Sequence, residues 1–237
     1  MTLIAGIILP NGILMMSDTR TLENNNFVHN ENTRKITAIT RNILLGTSGF
    51  EANYHTAQVL RQTLYGKKRL TNENIRWCIA NLYKQVSNFH LVERDFPEPL
   101  GHILLGEFNP VTYEYTLRVN SGENRELFSE YTEYNQVKDI ALIGATPSIN
   151  ANVKNQILDF LDSIELGNPG APRKIAELCH NIFKNEAENY KGINQKLYCI
   201  YLTTLNGRTV ADTFFRDESG NEYKLDINDD SRDIKYK

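Results

Sequence analysis

The order of elements legible in the sequence predicts an α+β architecture, with two antiparallel sheets packed face to face between outer layers of helix. Three observations carry that expectation. Strand-type apolar runs come in pairs joined by turn signals, helix-type periodicity also comes in pairs, and the two kinds of pair alternate along 237 residues. Hydrophobic residues make up 41% and charged residues 23%, a globular balance. The length suits one large core, so residues 1–237 are read as a single domain with residues 217–237 as a charged C-terminal tail, partly frayed or used in subunit contacts.

Each element has a local reason. Thr2 to Leu9 is Ile-rich and ends at Pro10-Asn11-Gly12, after which Ile13 to Ser17 resumes the apolar run, the pattern of a hairpin. A polar, Asn-rich loop from Thr21 to Asn32 leads to a second hairpin, Lys35–Thr40 with Asn42–Thr47. From Glu51 to about Tyr65, Ala52, Thr56, Val59, Leu60 and Leu64 suit one helical face, and Gly66, Lys67 and Lys68 give a stop signal. Thr71 can cap a second helix whose apolar positions, Ile75, Cys78, Ile79, Leu82, Val86 and Phe89, recur at steps of 3 and 4, with Trp77 placed on the core side. Pro97 and Pro99 break this pattern. HILLGEF and TYEYTLRV then form a strand pair around Asn109-Pro110, and DIALIG, Asp139 to Gly144, is a further buried-type strand. Pro147 opens a helix to about Ile164, and the loop LGNPGAP precedes a last helix carrying Ile175, Leu178, Cys179, Ile182 and Phe183 on one face. The final strand pair turns at Asn206-Gly207, a strong hairpin signal.

Composition excludes several function classes. A net charge of −3, with no stripe of Lys or Arg, argues against nucleic acid or an anionic membrane as partner. The first residues lack the basic and long apolar regions of a secretory signal, and no apolar run reaches the roughly 18 residues of a membrane span, so a cytoplasmic protein is expected. Cys78, Cys179 and Cys199 are far apart and read as small buried hydrophobes. His29, His55, His90, His102 and His180 lack metal-ligand spacing, and the acidic cluster Asp229, Asp230 and Asp233 reads as a solvated tail. With no GxGxxG or P-loop either, no cofactor or metal is expected.

The sharpest chemical feature is Thr2. Removal of Met1 would leave one residue with both a hydroxyl and an α-amine of pKa about 7.7–8.0, nucleophile and base together. Threonine at this position is common, so its neighbours carry the argument. Asp18 lies 16 residues further on, at the end of the paired strand, where the hairpin returns it beside the start of the first strand. Lys35 begins the next strand. An Asp18–Lys35 ion pair would hold a cation close to the Thr2 hydroxyl and ease loss of its proton; a purely structural salt bridge is the other reading.

These residues, set in a Gly-Ile apolar strand running into SDTR, a KITAI strand and LLGTSGF, resemble the proteasome β-subunit family of N-terminal nucleophile hydrolases. Thr2 directly after Met1 and the chain length are similar to the bacterial Anbu-type homologues. The resemblance implies a four-layer αββα sandwich, catalytic roles for Thr2, Asp18 and Lys35, and an oxyanion donor in the Gly49 N–H. Arg20 matches the arginine that follows the aspartate. It also implies a peptide or unfolded-protein substrate, no cofactor, and self-association into a ring or open spiral, with any ATPase partner unspecified.

Two positions depart from the family pattern. LIGATP puts Ala145 where active members carry serine, and Glu188-Asn189-Tyr190-Lys191-Gly192 stands in for Asp-x-x-Ser-Gly. Glu188 can replace the aspartate, whereas the Lys191 ammonium only donates and cannot relay a proton as a hydroxyl does. Lys191 either tunes the Thr2 amine, obstructs the site, or points into solvent. A catalytically silent assembly subunit and an amidase for a small amide are therefore the alternatives to a threonine peptidase.

Overall fold

A computed structural model describes residues 2–23, 27–67, 69–92, 100–120 and 130–236. The first hairpin pairs β1 (Ile4–Leu9) with β2 (Gly12–Ser17), and every residue in both strands is buried. Where an unbroken polar loop is expected, two short strands pair instead, β3 (Thr21–Leu22) and β4 (Val28–Asn30). The second hairpin is β5 (Ile36–Ala38) with β6 (Ile43–Thr47), followed by α1 (Glu51–Leu64) and α2 (Asn72–Val92). Thr71 Oγ accepts from the Asn74 N–H at 3.2 Å, which caps α2 as the sequence suggests.

Next come β7 (Ile103–Asn109), β8 (Glu114–Asn120), β9 (Thr132–Tyr134) and β10 (Ile140–Ile143). Two helices follow, α3 (Pro147–Ser163) and α4 (Ala171–Asn189), and the chain ends in β11 (Leu197–Leu205), β12 (Arg208–Arg216) and β13 (Glu222–Leu225). β9 and β13 were not expected. They are short, polar, half-exposed strands at the outer edges of the two sheets, where no hydrophobic alternation is needed. The breaks expected at Pro97 and Pro99, and Lys68 of the stop signal, lie outside the described residues.

The strands form a six-stranded sheet in the order β10-β1-β2-β11-β12-β13 and a five-stranded sheet in the order β5-β6-β7-β8-β9, each antiparallel throughout. Alternation along β1 sorts its side chains between two cores. Leu3, Ala5, Ile7 and Leu9 meet α3 and α4, whereas Ile4 and Ile8 meet Leu44, Leu104, Phe108 and Leu117 of the other sheet. A third core joins the outer face of the five-stranded sheet to α1 and α2 through Leu45, Leu105, Leu60 and Ile79. The layers are therefore helix, sheet, sheet, helix, an αββα sandwich. Strands buried on both faces read as continuous apolar runs, and each fully buried Ile or Leu contributes roughly 1.5–3 kcal/mol.

Three expected core positions face outward. On α2 the buried stripe is Ile75, Ile79 and Tyr83, so Trp77, two positions from Ile75 and about 200° around the helix, is 68% exposed. Phe89 and, on α1, Val59 are also exposed. Cys179 and Cys199 are buried, and Cys78 is half-buried. Among the described residues no helix is long and apolar enough to cross a membrane.

The C-terminal segment is neither frayed nor simply solvated. Beyond β13 it runs back across the molecule as a strap. Arg61 donates to the Ile227 carbonyl at 2.9 Å, and Arg34 donates to the Asp229 carboxylate at 2.7 Å. The Arg34 N–H donates to the Arg232 carbonyl, the Ile234 N–H donates to the Asn32 carbonyl, and Asn30 donates to Asp233. Ile234 is buried, and Tyr236 packs on Phe215 and Tyr223. Apolar anchors within the charged run explain why composition alone misreads it.

Candidate active site

Register fixes the first part of the site. Ile4 pairs with Ser17, so the next residues outward, Leu3 and Asp18, lie side by side. The Asp18 N–H donates to the Leu3 carbonyl at 3.1 Å, and the Leu3 N–H donates to Asp18 Oδ1 at 2.9 Å. Thr2 is the next residue along. Lys35 immediately precedes β5 in the other sheet, with its carbonyl accepting from the Thr47 N–H. Its ammonium crosses the sheet interface to the Asp18 oxygens at 2.9 and 2.8 Å and donates to Thr2 Oγ at 3.1 Å. The structure thus brings Thr2, Asp18 and Lys35 together.

This pair is sealed from solvent, with side-chain exposures of 4% for Lys35 and 0% for Asp18. Burial lowers the Lys35 pKa from its ordinary value, and the Asp18 charge opposes that shift. Asp18 also accepts from the Arg20 N–H, so its carboxylate is held by two backbone donors as well as by Lys35. A cation fixed beside a hydroxyl favours the oxyanion of that hydroxyl.

Gly49 lies just beyond β6. The N–H groups on either side are occupied, Ser48 by the His102 carbonyl and Phe50 by the Leu100 carbonyl, both at 3.0 Å. The Gly49 N–H takes no acceptor among the described residues. Its φ of +105°, with a Cβ that would fall 2.6 Å from Gly101 Cα, requires glycine. Gly144 is equally constrained, because a Cβ there would sit 2.4 Å from the Thr2 carbonyl oxygen and 2.9 Å from Ser48 Cβ. Ala145 follows it and packs against the apolar layer beneath α3 and α4. Ser48 Oγ, a hydroxyl that sequence reasoning passed over, is buried there without a partner among the described residues.

Glu188 does not join this group. α4 buries Ile175, Cys179, Ile182, Phe183 and Glu186, and Glu188 stands two positions, about 200°, beyond Glu186 and is exposed. Glu186 instead accepts from Asn152 at 2.8 Å and ties α4 to α3. The Lys191 side chain is also exposed; its carbonyl accepts from Arg20 at 2.6 Å. The polar residue of this loop that turns inward is Asn194. It accepts from the Thr19 N–H at 3.0 Å and donates to the Glu31 carbonyl and carboxylate, while Glu31 holds Arg20. Sequence reasoning missed Asn194, because an asparagine in a polar loop carries no periodic signal.

An open pocket of about 640 Å³ is lined by Thr2, Arg20, Lys35, Ser48, Gly49 and Glu51, together with His29, Tyr54 and Arg232 among others. It places a hydroxyl hydrogen-bonded to a buried cation near a backbone N–H with no acceptor among the described residues, an arrangement that can support acyl transfer. Residues 2–106, a span that includes Thr2, Asp18, Lys35 and Gly49, match the family model for the proteasome subunit. No curated protein matches the chain.

Proposed function

We propose that this chain, of the proteasome subunit family by its match over residues 2–106, is a threonine peptidase that cleaves peptide bonds once Met1 has been removed. Thr2 Oγ attacks the substrate carbonyl, and the Thr2 α-amine takes the hydroxyl proton and passes it to the leaving amine. Lys35 stabilises the developing alkoxide, Asp18 fixes Lys35, and the Gly49 N–H receives the oxyanion. Water then hydrolyses the resulting ester on Thr2, with the α-amine as base. The observation that carries this reading is the 3.1 Å contact from Lys35 Nζ to Thr2 Oγ, made by an ammonium that Asp18 neutralises.

The pocket's open form suits an extended peptide or unfolded segment. Under this reading the subunits assemble into a ring or open spiral in the cytoplasm. The silent-subunit alternative rests on Ala145, which has no hydroxyl, and on Lys191, whose exposed side chain is not among the residues that line the pocket. Thr2→Ala tests the reading directly. Loss of peptide turnover with unchanged assembly and melting supports it, and unchanged turnover overturns it.

A further inference from the structure

One pocket residue comes from the far end of the chain. The other lining residues lie between Thr2 and Tyr54, and Arg232 arrives on the C-terminal strap. Its guanidinium is ion-paired with Glu51 and sits over the Tyr54 ring at 5.1 Å from the centroid, a carboxylate and an aromatic face together. That combination is what a guanidinium or ammonium group selects. The charged and titratable groups around Glu51 are Arg232, His55 at 3.5 Å and, farther away, His29, which pairs with Glu23 on the pocket wall.

The two arginines lining this pocket are held differently. Arg20 uses Nε on Glu31 and a terminal nitrogen on the Lys191 carbonyl. Arg232 meets Glu51 through a terminal nitrogen, and its Nε has no partner among the described residues. The Arg232 and Glu51 side chains are 27% and 57% exposed, so exchange of one cation for another costs little desolvation. The strap backbone is anchored independently, through Arg34, Arg61 and Ile234. Glu51 follows Gly49 by two residues, which sets it beside the proposed oxyanion donor.

We propose that the Glu51–Tyr54 wall is a subsite for a basic substrate side chain, arginine or lysine, and that Arg232 occupies it as an internal stand-in which such a side chain displaces. The proposal rests on the peptidase reading for its biological meaning. The recognition itself needs no chemistry at Thr2. The Tyr54 phenol, pushed up to about 12 mainly by burial, stays protonated under the ring-stacked cation.

The test uses the full chain and three peptides, acetyl-Ala-Ala-Arg amide and its Leu and Glu counterparts, with binding read by calorimetry. Arg232→Ala is expected to bind the Arg peptide at least about tenfold more tightly than the native chain, with no gain for the other two. Adding Glu51→Gln is expected to abolish that gain. Arg232→Gln keeps a side-chain stem beside Tyr54 without the charge and carries the same expectation, which covers a folding defect in the alanine variant. Equal gains for the Leu peptide, or none for the Arg peptide, overturn the proposal. Repeating the titration in a Thr2→Ala background keeps this outcome separate from that of the peptidase reading, which stands or falls on covalent chemistry at Thr2.

Discussion

Two ion pairs line the same pocket and differ in almost every physical respect. Asp18–Lys35 joins the two sheets at 2.8 Å with side-chain exposures of 0% and 4%, and each partner is further engaged by neighbours. Glu51–Arg232 joins α1 to the strap with exposures of 57% and 27%, and the Arg232 Nε has no partner among the described residues. Burial makes the first pair costly to break and rigid, as the proposed mechanism requires of a pair that holds a cation and hydrogen-bond donor at a fixed place beside Thr2. Exposure makes the second cheap to break, as suits a contact exchanged for substrate.

The contrast between the two pairs is most severe at Asp18. Asp18→Asn leaves the Lys35 ammonium buried without its charge partner, and a loss of about 3–5 kcal/mol is expected in denaturant unfolding, together with loss of turnover. A loss below about 1 kcal/mol would put the buried pair on the same footing as the exposed one. Gly49→Ala comes next. The positive φ and the close approach to Gly101 predict a cost of about 1–3 kcal/mol, and turnover should fall further than stability accounts for, because the Gly49 N–H is displaced.

Asn194→Ala tests how the Asp18 turn is held. It strips an acceptor from the buried Thr19 N–H and a donor from Glu31, with an expected loss of about 1–3 kcal/mol in thermal or denaturant unfolding. The smallest effect belongs to Glu51. Its hydrogen bond from Arg232 lowers its pKa from the ordinary 4.5, so the pair's stabilisation is present above the ordinary carboxylate pKa. It is lost as pH falls through the lower folded value. Melting curves taken between about pH 6 and pH 3 should show a contribution of no more than about 1 kcal/mol that disappears in Arg232→Ala.

What the sequence disclosed follows the same division. The sandwich was legible because strands buried on both faces, such as IAGIIL and ILLGT, are continuous apolar runs closed by turn residues, and because α1, α3 and α4 carry most of their apolar residues on one face. Thr2, Asp18 and Lys35 could be grouped because they stand at the ends of the first strands, where hairpin register brings distant residues together. Arg232 escaped because nothing local marks a charged residue that docks nearly 180 positions from Tyr54, and the tail's acidic run hid the anchors at Ile234 and Tyr236. The motif resemblance points to Glu188, but the period of α4 turns Glu186 inward instead. At Trp77 the large apolar side chain suggests core, whereas α2 buries a narrow stripe at steps of four.

The most direct measurement is peptide mapping by mass spectrometry of the native chain after treatment with a threonine-directed peptide epoxyketone, an electrophile that uses both a hydroxyl and a free α-amine. An N-terminal peptide that begins at Thr2, lacks Met1 and carries the adduct is expected, with labelling absent in Thr2→Ala. Met1 retained on essentially every chain, or a free Thr2 that takes no label while the protein is folded, would contradict it.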